Sequence, residues 1–161
     1  MKARDVMKSP VITVRQGATL AEVARLLDEN KISGMPVVNP QGELVGIVSE
    51  HDLITRSQRL QVKMLREPFG WLSPHTTLEE IAQFTRGLCE VGDTRVEEVM
   101  TKKVVTVSED DSLEEVARLV GRRKINRVPV LRQGKLVGII SRGDLVWAMA
   151  NLCERKPGIL N

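Results

Sequence analysis

An internal repeat constrains this chain more than any other feature. Displaced by 93 residues, the sequence matches itself block by block and in order. Asp5-Val6-Met7 returns as Glu98-Val99-Met100, Val11-Ile12-Thr13-Val14 as Val104-Val105-Thr106-Val107, and Glu22-Val23-Ala24-Arg25-Leu26 as Glu115-Val116-Ala117-Arg118-Leu119. Lys31-Ile32 and Pro36-Val37 recur as Lys124-Ile125 and Pro129-Val130. One residue is then lost in a turn, after which Leu44-Val45-Gly46-Ile47 aligns with Leu136-Val137-Gly138-Ile139, and Ser49, Asp52 and Leu53 align with Ser141, Asp144 and Leu145. One such copy is too small to hold a good core alone, so the two copies are expected to pack on each other.

Each copy reads in the same local order. The β-branched runs Val11 to Val14 and Val104 to Val107 predict strands. Thr19 with Glu22 and Ser112 with Glu115 form capping boxes, opening helices that bury Leu20, Val23, Ala24 and Leu27, or Leu113, Val116, Ala117 and Val120. A strand opening near Pro36 or Pro129, a turn at Gly42 or Gly134, and a strand Leu44 to Val48 or Leu136 to Ile140 follow. Proline cannot donate to a ladder, so the strands holding Pro36 and Pro129 are expected to be short or at an edge. Between the copies, a helix runs from Asp52 to about Leu65 and breaks at Pro68-Phe69-Gly70. A third capping box, Thr77 with Glu80, opens a helix that buries Leu78, Ile81, Ala82 and Leu88 and ends at Gly92-Asp93. The expected organisation is unit 1 at 1–60, a helical inter-repeat segment at 61–95, unit 2 at 96–152 and a tail at 153–161. The expected class is α+β, with two βαββα units related by a pseudo-twofold axis, packed through their sheets, and a functional cleft between them.

Composition narrows the function. Lys and Arg number 24 against 21 Asp and Glu, a net charge of only +3, with no dense basic run to bind nucleic acid or a membrane surface. Aromatic residues are 2% of the chain, too few for base-stacking platforms. A nucleic-acid accessory role, suggested by the pI near 9.1, therefore ranks last. Cys89 and Cys153 lie outside any metal-ligand spacing, which points to reduced thiols in a cytoplasm, with no metal and no disulfide framework. Charges interrupt the N-terminus before an export signal could form, and no apolar run is long enough to cross a membrane. His51 and His75 have no metal-spaced companion and no nucleophile neighbour, so both read as surface histidines. Met7 and Met100 read as apolar anchors of the chain into each unit. The cluster Arg122-Arg123-Lys124 reads as cations complementing a helix C-terminus.

The ordered, duplicated blocks closely resemble a tandem pair of cystathionine β-synthase (CBS) domains, the arrangement called a Bateman module. The resemblance covers Val6 to Leu53 and Val99 to Leu145; the middle segment is longer than the linker of a minimal pair. It implies a non-catalytic module without a cofactor that binds AMP, ADP, ATP or S-adenosylmethionine. It also implies a homodimer, and a regulated enzyme or transporter supplied as another chain.

The resemblance assigns ribose recognition to Ser49, Asp52, Ser141 and Asp144. An ionised carboxylate accepts two hydrogen bonds from a cis-diol, and a helix N-terminus adds free N–H groups. The same Ser-x-x-Asp is also an ordinary helix cap, and one serine can serve both ends. Adenine recognition falls on Thr13, Val14, Lys31, Ile32, Ser33, Gly34 and Met35, and in the second copy on Thr106, Val107, Lys124, Ile125, Asn126 and Val128. The apolar members are equally readable as core. Phosphate falls on Arg127, with His51 and Arg142 as helpers; an exposed, solvated Arg127 is the alternative. Because Gly34 stands where the second copy has Arg127, the two half-sites are expected to differ, with Ser49, Asp52 and Arg127 as the primary set. The rival function is a protein-assembly module whose clefts stay empty.

Overall fold

The computed structural model describes residues 1–59 and 89–154. The first pass of chain comprises β1 (Val14–Arg15), α1 (Leu20–Glu29), β2 (Gly34–Val38), β3 (Leu44–Ser49) and α2 (Glu50–Arg59). The second comprises β4 (Val107–Ser108), α3 (Leu113–Arg123), β5 (Arg127–Arg132), β6 (Lys135–Ser141) and α4 (Arg142–Glu154). Short 3-10 turns, Ala3–Asp5 and Val96–Glu98, precede the two passes. Each pass builds its own three-stranded sheet, in the orders β1-β2-β3 and β4-β5-β6, so the fold is α+β with two βαββα units. The chain is helical over 89–93 and bends at Thr94. The expected break at Pro68-Phe69-Gly70, the Thr77 to Glu80 capping box with its helix to Leu88, His75 and the tail beyond Glu154 lie outside the described residues. Among the described residues no helix is long and apolar enough to cross a membrane.

Both early helices start where their capping boxes place them. The Thr19 hydroxyl accepts from the Glu22 N–H while Glu22 accepts from the Thr19 N–H at 2.7 Å, and Ser112 and Glu115 repeat the exchange. Leu20, Val23 and Leu27 of α1 and Leu113, Val116 and Val120 of α3 are buried. Ala24 and Ala117, expected on the same faces, are exposed: the buried stripe is narrow, and these small side chains flank it.

The proline-bearing strands are central, not edge strands, and the predicted first strands are cut to two residues. One cause explains both corrections. Ile47, opposite Pro36, turns its N–H and C=O outward to Thr101, so the Pro36 nitrogen faces β1 and costs the hairpin nothing. On that side β1 runs parallel, pairing Val14 with Val37 and Arg15 with Val38. The next ladder bond back along β1 would need an N–H from Pro36 to Ile12, and proline has none. Pairing therefore begins at Val14 rather than Val11. Pro129 does the same in the second sheet, where Ile139 turns to Lys8 and β4 begins at Val107 rather than Val104.

Repeat and spatial unit are offset by one segment. One compact unit is Thr13–Lys102; the other joins Met1–Ile12 to the chain from Lys103 onward. In the latter, the Ala3 N–H donates to Asp111 O at 2.9 Å and the Leu113 N–H to Met1 O at 3.0 Å, while Lys8 and Ile139 exchange a pair of backbone bonds at 2.9 and 3.1 Å. Lys2 and Arg4 both reach Asp110. Ala3 and Val6 join Val116, Val128, Val130 and Ile140 in one buried cluster. The segment 94–101 does the same for the first pass: Leu20 donates to Thr94 O, Val96 to Ala18 O, and Thr101 exchanges with Ile47.

Methionine and glycine lock these crossings. Met7 lies over Gly138 and Met100 over Gly46, so closely that a Cβ at Gly138 would lie 2.9 Å from Met7 Cβ, and one at Gly46 would lie 2.9 Å from Met100 Cγ. Gly138→Ala should therefore lower stability by about 1–3 kcal/mol through overpacking. In calorimetric melting, that is a drop of roughly 2–4 °C for each kcal/mol. Because the three atoms nearest that Cβ all belong to Met7, adding Met7→Ala should cost less than the two single losses combined. Strict additivity would show that Met7 is not what the new methyl meets.

Candidate functional site

In the unit Thr13–Lys102, Ser49 ends β3 and Asp52 sits in the first turn of α2, which begins at Glu50 rather than Asp52. The Ser49 N–H and hydroxyl both donate to Asp52 Oδ2, at 2.8 and 3.0 Å. The Ser-x-x-Asp is thus a cap, and the cap uses one carboxylate oxygen. The segment expected to hold adenine adjoins it: Gly34 faces Ser49 in the β2–β3 register, and the Glu50 N–H donates to Ser33 O at 3.1 Å. Lys31 adopts a left-handed φ of 52° as the chain leaves α1, its ammonium 2.9 Å from Asp28. Val14 and Met35 are buried, so only their backbone can be offered to a ligand; Thr13 is half-buried and Ser33 exposed. His51 is exposed, with Nε2 3.4 Å from the Thr55 hydroxyl.

The other unit repeats this geometry. The Ser141 hydroxyl and N–H donate to Asp144 Oδ2 at 2.5 and 2.8 Å. Arg127 faces Ser141 in the β5–β6 register and is half-buried. The Arg142 N–H donates to Asn126 O and its Nε to Ile125 O, both at 3.0 Å, so the Arg142 side chain braces the loop before β5. Lys124 is left-handed at φ 53° and exposed, as is Asn126; Val107 and Val128 are buried and Thr106 half-buried.

The units differ at the aspartates. Lys8 Nζ lies 3.2 Å from Asp144 Oδ1, so both oxygens of Asp144 are engaged. Thr101 stands at the position equivalent to Lys8, bridged to Ile47 as Lys8 is to Ile139, and among the described residues no ion pair involves Asp52. Burial pushes the Asp144 carboxyl up, but the Ser141 bonds and the Lys8 ammonium outweigh it and hold the group below its ordinary 3.8.

Asp52 also lines a cavity of about 190 Å³ with His51, Thr55, Arg56, Glu98 and Val99. Arg56 Nε is buried there without a hydrogen-bond partner. Sequence reasoning passed over Lys8, Arg56 and Glu98. The signal was available in the repeat itself: Arg56 aligns with Ala148 and Lys8 with Thr101, so the copies differ where they flank their aspartates.

Two capped helices, each presenting an aspartate beside a strand-entry loop, make this a duplicated α+β unit. The CBS domain family model matches residues 3–59 and again 96–151, and the chain belongs to that family as a tandem pair. An uncharacterized protein of Methanocaldococcus jannaschii is 37% identical over 92% of this chain and 91% of its own length. Among solved structures, the CBS domain of a CBS domain-containing membrane protein from Sphaerobacter thermophilus is 34% identical, with a TM-score of 0.70 over 91% of this chain and 86% of that one. CBSX2 in complex with AMP is 26% identical, with a TM-score of 0.70 over 94% of this chain and 98% of that one.

The Asp144 cap carries a pH signature. A carboxyl whose folded-state pKa is depressed adds stability above its unfolded value, near 3.8, and loses it as pH falls through the lower folded value. Asp144→Asn should therefore cost about 1 kcal/mol at neutral pH, the usual worth of such a cap. The wild-type and variant denaturation midpoints should converge in strong acid. A gap that stays constant from pH 7 down through acid would mean that ionisation of Asp144 contributes nothing.

Proposed function

We propose that this chain is a non-catalytic regulatory module that binds an adenosine-containing ligand, AMP, ADP, ATP or S-adenosylmethionine, with Asp52 as its ribose anchor. The observation that carries the reading is the division of labour at Asp52. Oδ2 is held by Ser49, which fixes the side chain, while among the described residues nothing bonds Oδ1, which is left to accept from a diol. Recognition of the adenine edge falls to the backbone of Lys31, Ser33, Gly34 and Met35, with Thr13 and Val14; that Gly34 pairs with Ser49 and Ser33 O accepts from the Glu50 N–H supports it. Thr106, Val107, Lys124, Asn126 and Val128 are their counterparts around Ser141 and Asp144. Phosphate recognition is assigned to Arg127, with His51 and Arg142 as lesser contributors. The AMP complex of the similar CBSX2 supports this ligand class.

The module acts in the cytoplasm as a homodimer and passes ligand state to an enzyme or transporter on another chain. Dimerisation is suggested by apolar side chains left exposed on α2 and α4: Ile54, Val146, Trp147, Met149 and Leu152. The same side chains favour the second reading, an assembly module with no ligand.

Melting curves separate the two. With AMP at a hundredfold excess over its Kd, the midpoint should rise by about 5–10 °C, and the rise should shrink sharply in Asp52→Asn. In calorimetric titration, Arg127→Ala should weaken AMP more than adenosine, by about 1.5–3 kcal/mol. If no adenosine compound shifts the midpoint while Trp147→Glu converts a dimer to a monomer by light scattering, the assembly reading replaces the sensor.

A further inference from the structure

The two aspartates have the same cap, an equivalent strand before them and an equivalent helix after them, yet among the described residues only Asp144 has a lysine on its second oxygen. Lys8 is placed there by the fold. Its backbone N–H and C=O are both bonded to Ile139, two residues before Ser141 on β6, so its side chain starts from a fixed point beside Asp144. The Lys8 ammonium sits 3.2 Å from Oδ1, while Ser141 holds Oδ2. Asp144 is mostly shielded, its side chain 13% exposed, whereas Lys8 is 72% exposed. The lysine is therefore the partner that can leave. At the equivalent position the first pass has Thr101, whose short neutral side chain offers no ammonium to Asp52.

We propose that Lys8 is a latch on the second ribose half-site: its ammonium occupies the carboxylate oxygen that a diol needs, so Asp144 accepts ligand only when Lys8 is displaced. This rests on the ribose assignment proposed above. It makes the half-sites unequal by a route independent of phosphate, because the competition is for the diol and acts on an uncharged nucleoside as well as on a nucleotide. The latch weakens as salt rises, since an ammonium as exposed as this one is screened. An exposed ion pair of this kind is worth little, which sets the expected effect at a few-fold rather than orders of magnitude.

Adenosine, which has no phosphate, is the probe, and the full-length chain carrying Asp52→Asn isolates the Asp144 half-site. Adding Lys8→Thr, the residue of the equivalent position, should tighten adenosine binding in calorimetric titration by about three- to fivefold. Lys8→Met, which keeps the aliphatic stem, should do the same. Raising the salt should improve adenosine binding in the Lys8 protein and leave both Lys8 variants unchanged. Adding Asp144→Asn to Lys8→Thr should erase the gain. If Lys8→Thr leaves adenosine binding unchanged or weaker while the wild type still loses binding on Asp52→Asn, the latch is wrong and the ribose reading stands. If the wild type binds no adenosine compound, and Lys8→Thr restores none, both fall together.

Discussion

Everything in this protein hangs on two pairs of backbone hydrogen bonds, Lys8 with Ile139 and Thr101 with Ile47. Each pair attaches a segment from one repeat to the outer strand of the other repeat's sheet. Without it, the outward N–H and C=O of Ile139 or Ile47 would be an open strand edge, and Ala3 and Val6, or Val96, would have no core to enter. The Met7–Gly138 and Met100–Gly46 contacts then set the approach of each segment, since only a residue without Cβ leaves room for the methionine. The same attachment also places Lys8 beside Asp144, so architecture and site chemistry have a common cause.

Under the proposed function, one motif serves structure and ligand together at each aspartate. In each unit the serine at the strand end bonds a single carboxylate oxygen, satisfying free donors at the helix start and fixing the side chain's rotamer. A carboxylate so restrained is preorganised for a diol, because the entropy of ordering it has been met by the cap. Capping and ribose recognition are thus compatible roles for the two oxygens of one group. What separates Asp52 from Asp144 is the occupant of the remaining oxygen.

Much of this was legible in the sequence. Duplicated blocks announce a duplicated unit, and the Thr19 and Ser112 capping boxes mark their helix starts to the residue, because these signals are local and need no partner. The proline strands were misplaced because an edge was inferred from a missing donor, when what matters is which side of the strand that donor would have faced. Pro36 and Pro129 face a neighbour whose pairing begins one step later. The offset between repeat and unit was invisible for a different reason: a backbone pair between Lys8 and Ile139 has no residue signature, and the two ends are far apart along the chain. Lys8 was missed with it, since its meaning depends on where the crossing delivers it. The Ser49–Asp52 and Ser141–Asp144 caps were readable because motif and geometry coincide within four residues.

The crossing also imposes an order of events on a nascent chain. Thr13–Lys102 is one continuous stretch, and it can close its sheet and core once Thr101 has emerged. Met1–Ile12 is made well before the strand it docks on, which is not complete until Ile139 and Ile140 exist. At ordinary elongation rates of about 5–20 residues per second, Met1–Ile12 waits on the order of ten seconds for its place, with Ala3, Val6 and Met7 uncovered meanwhile. A chain interrupted before β6 keeps one finished unit and leaves Met1–Ile12 without the strand it docks on.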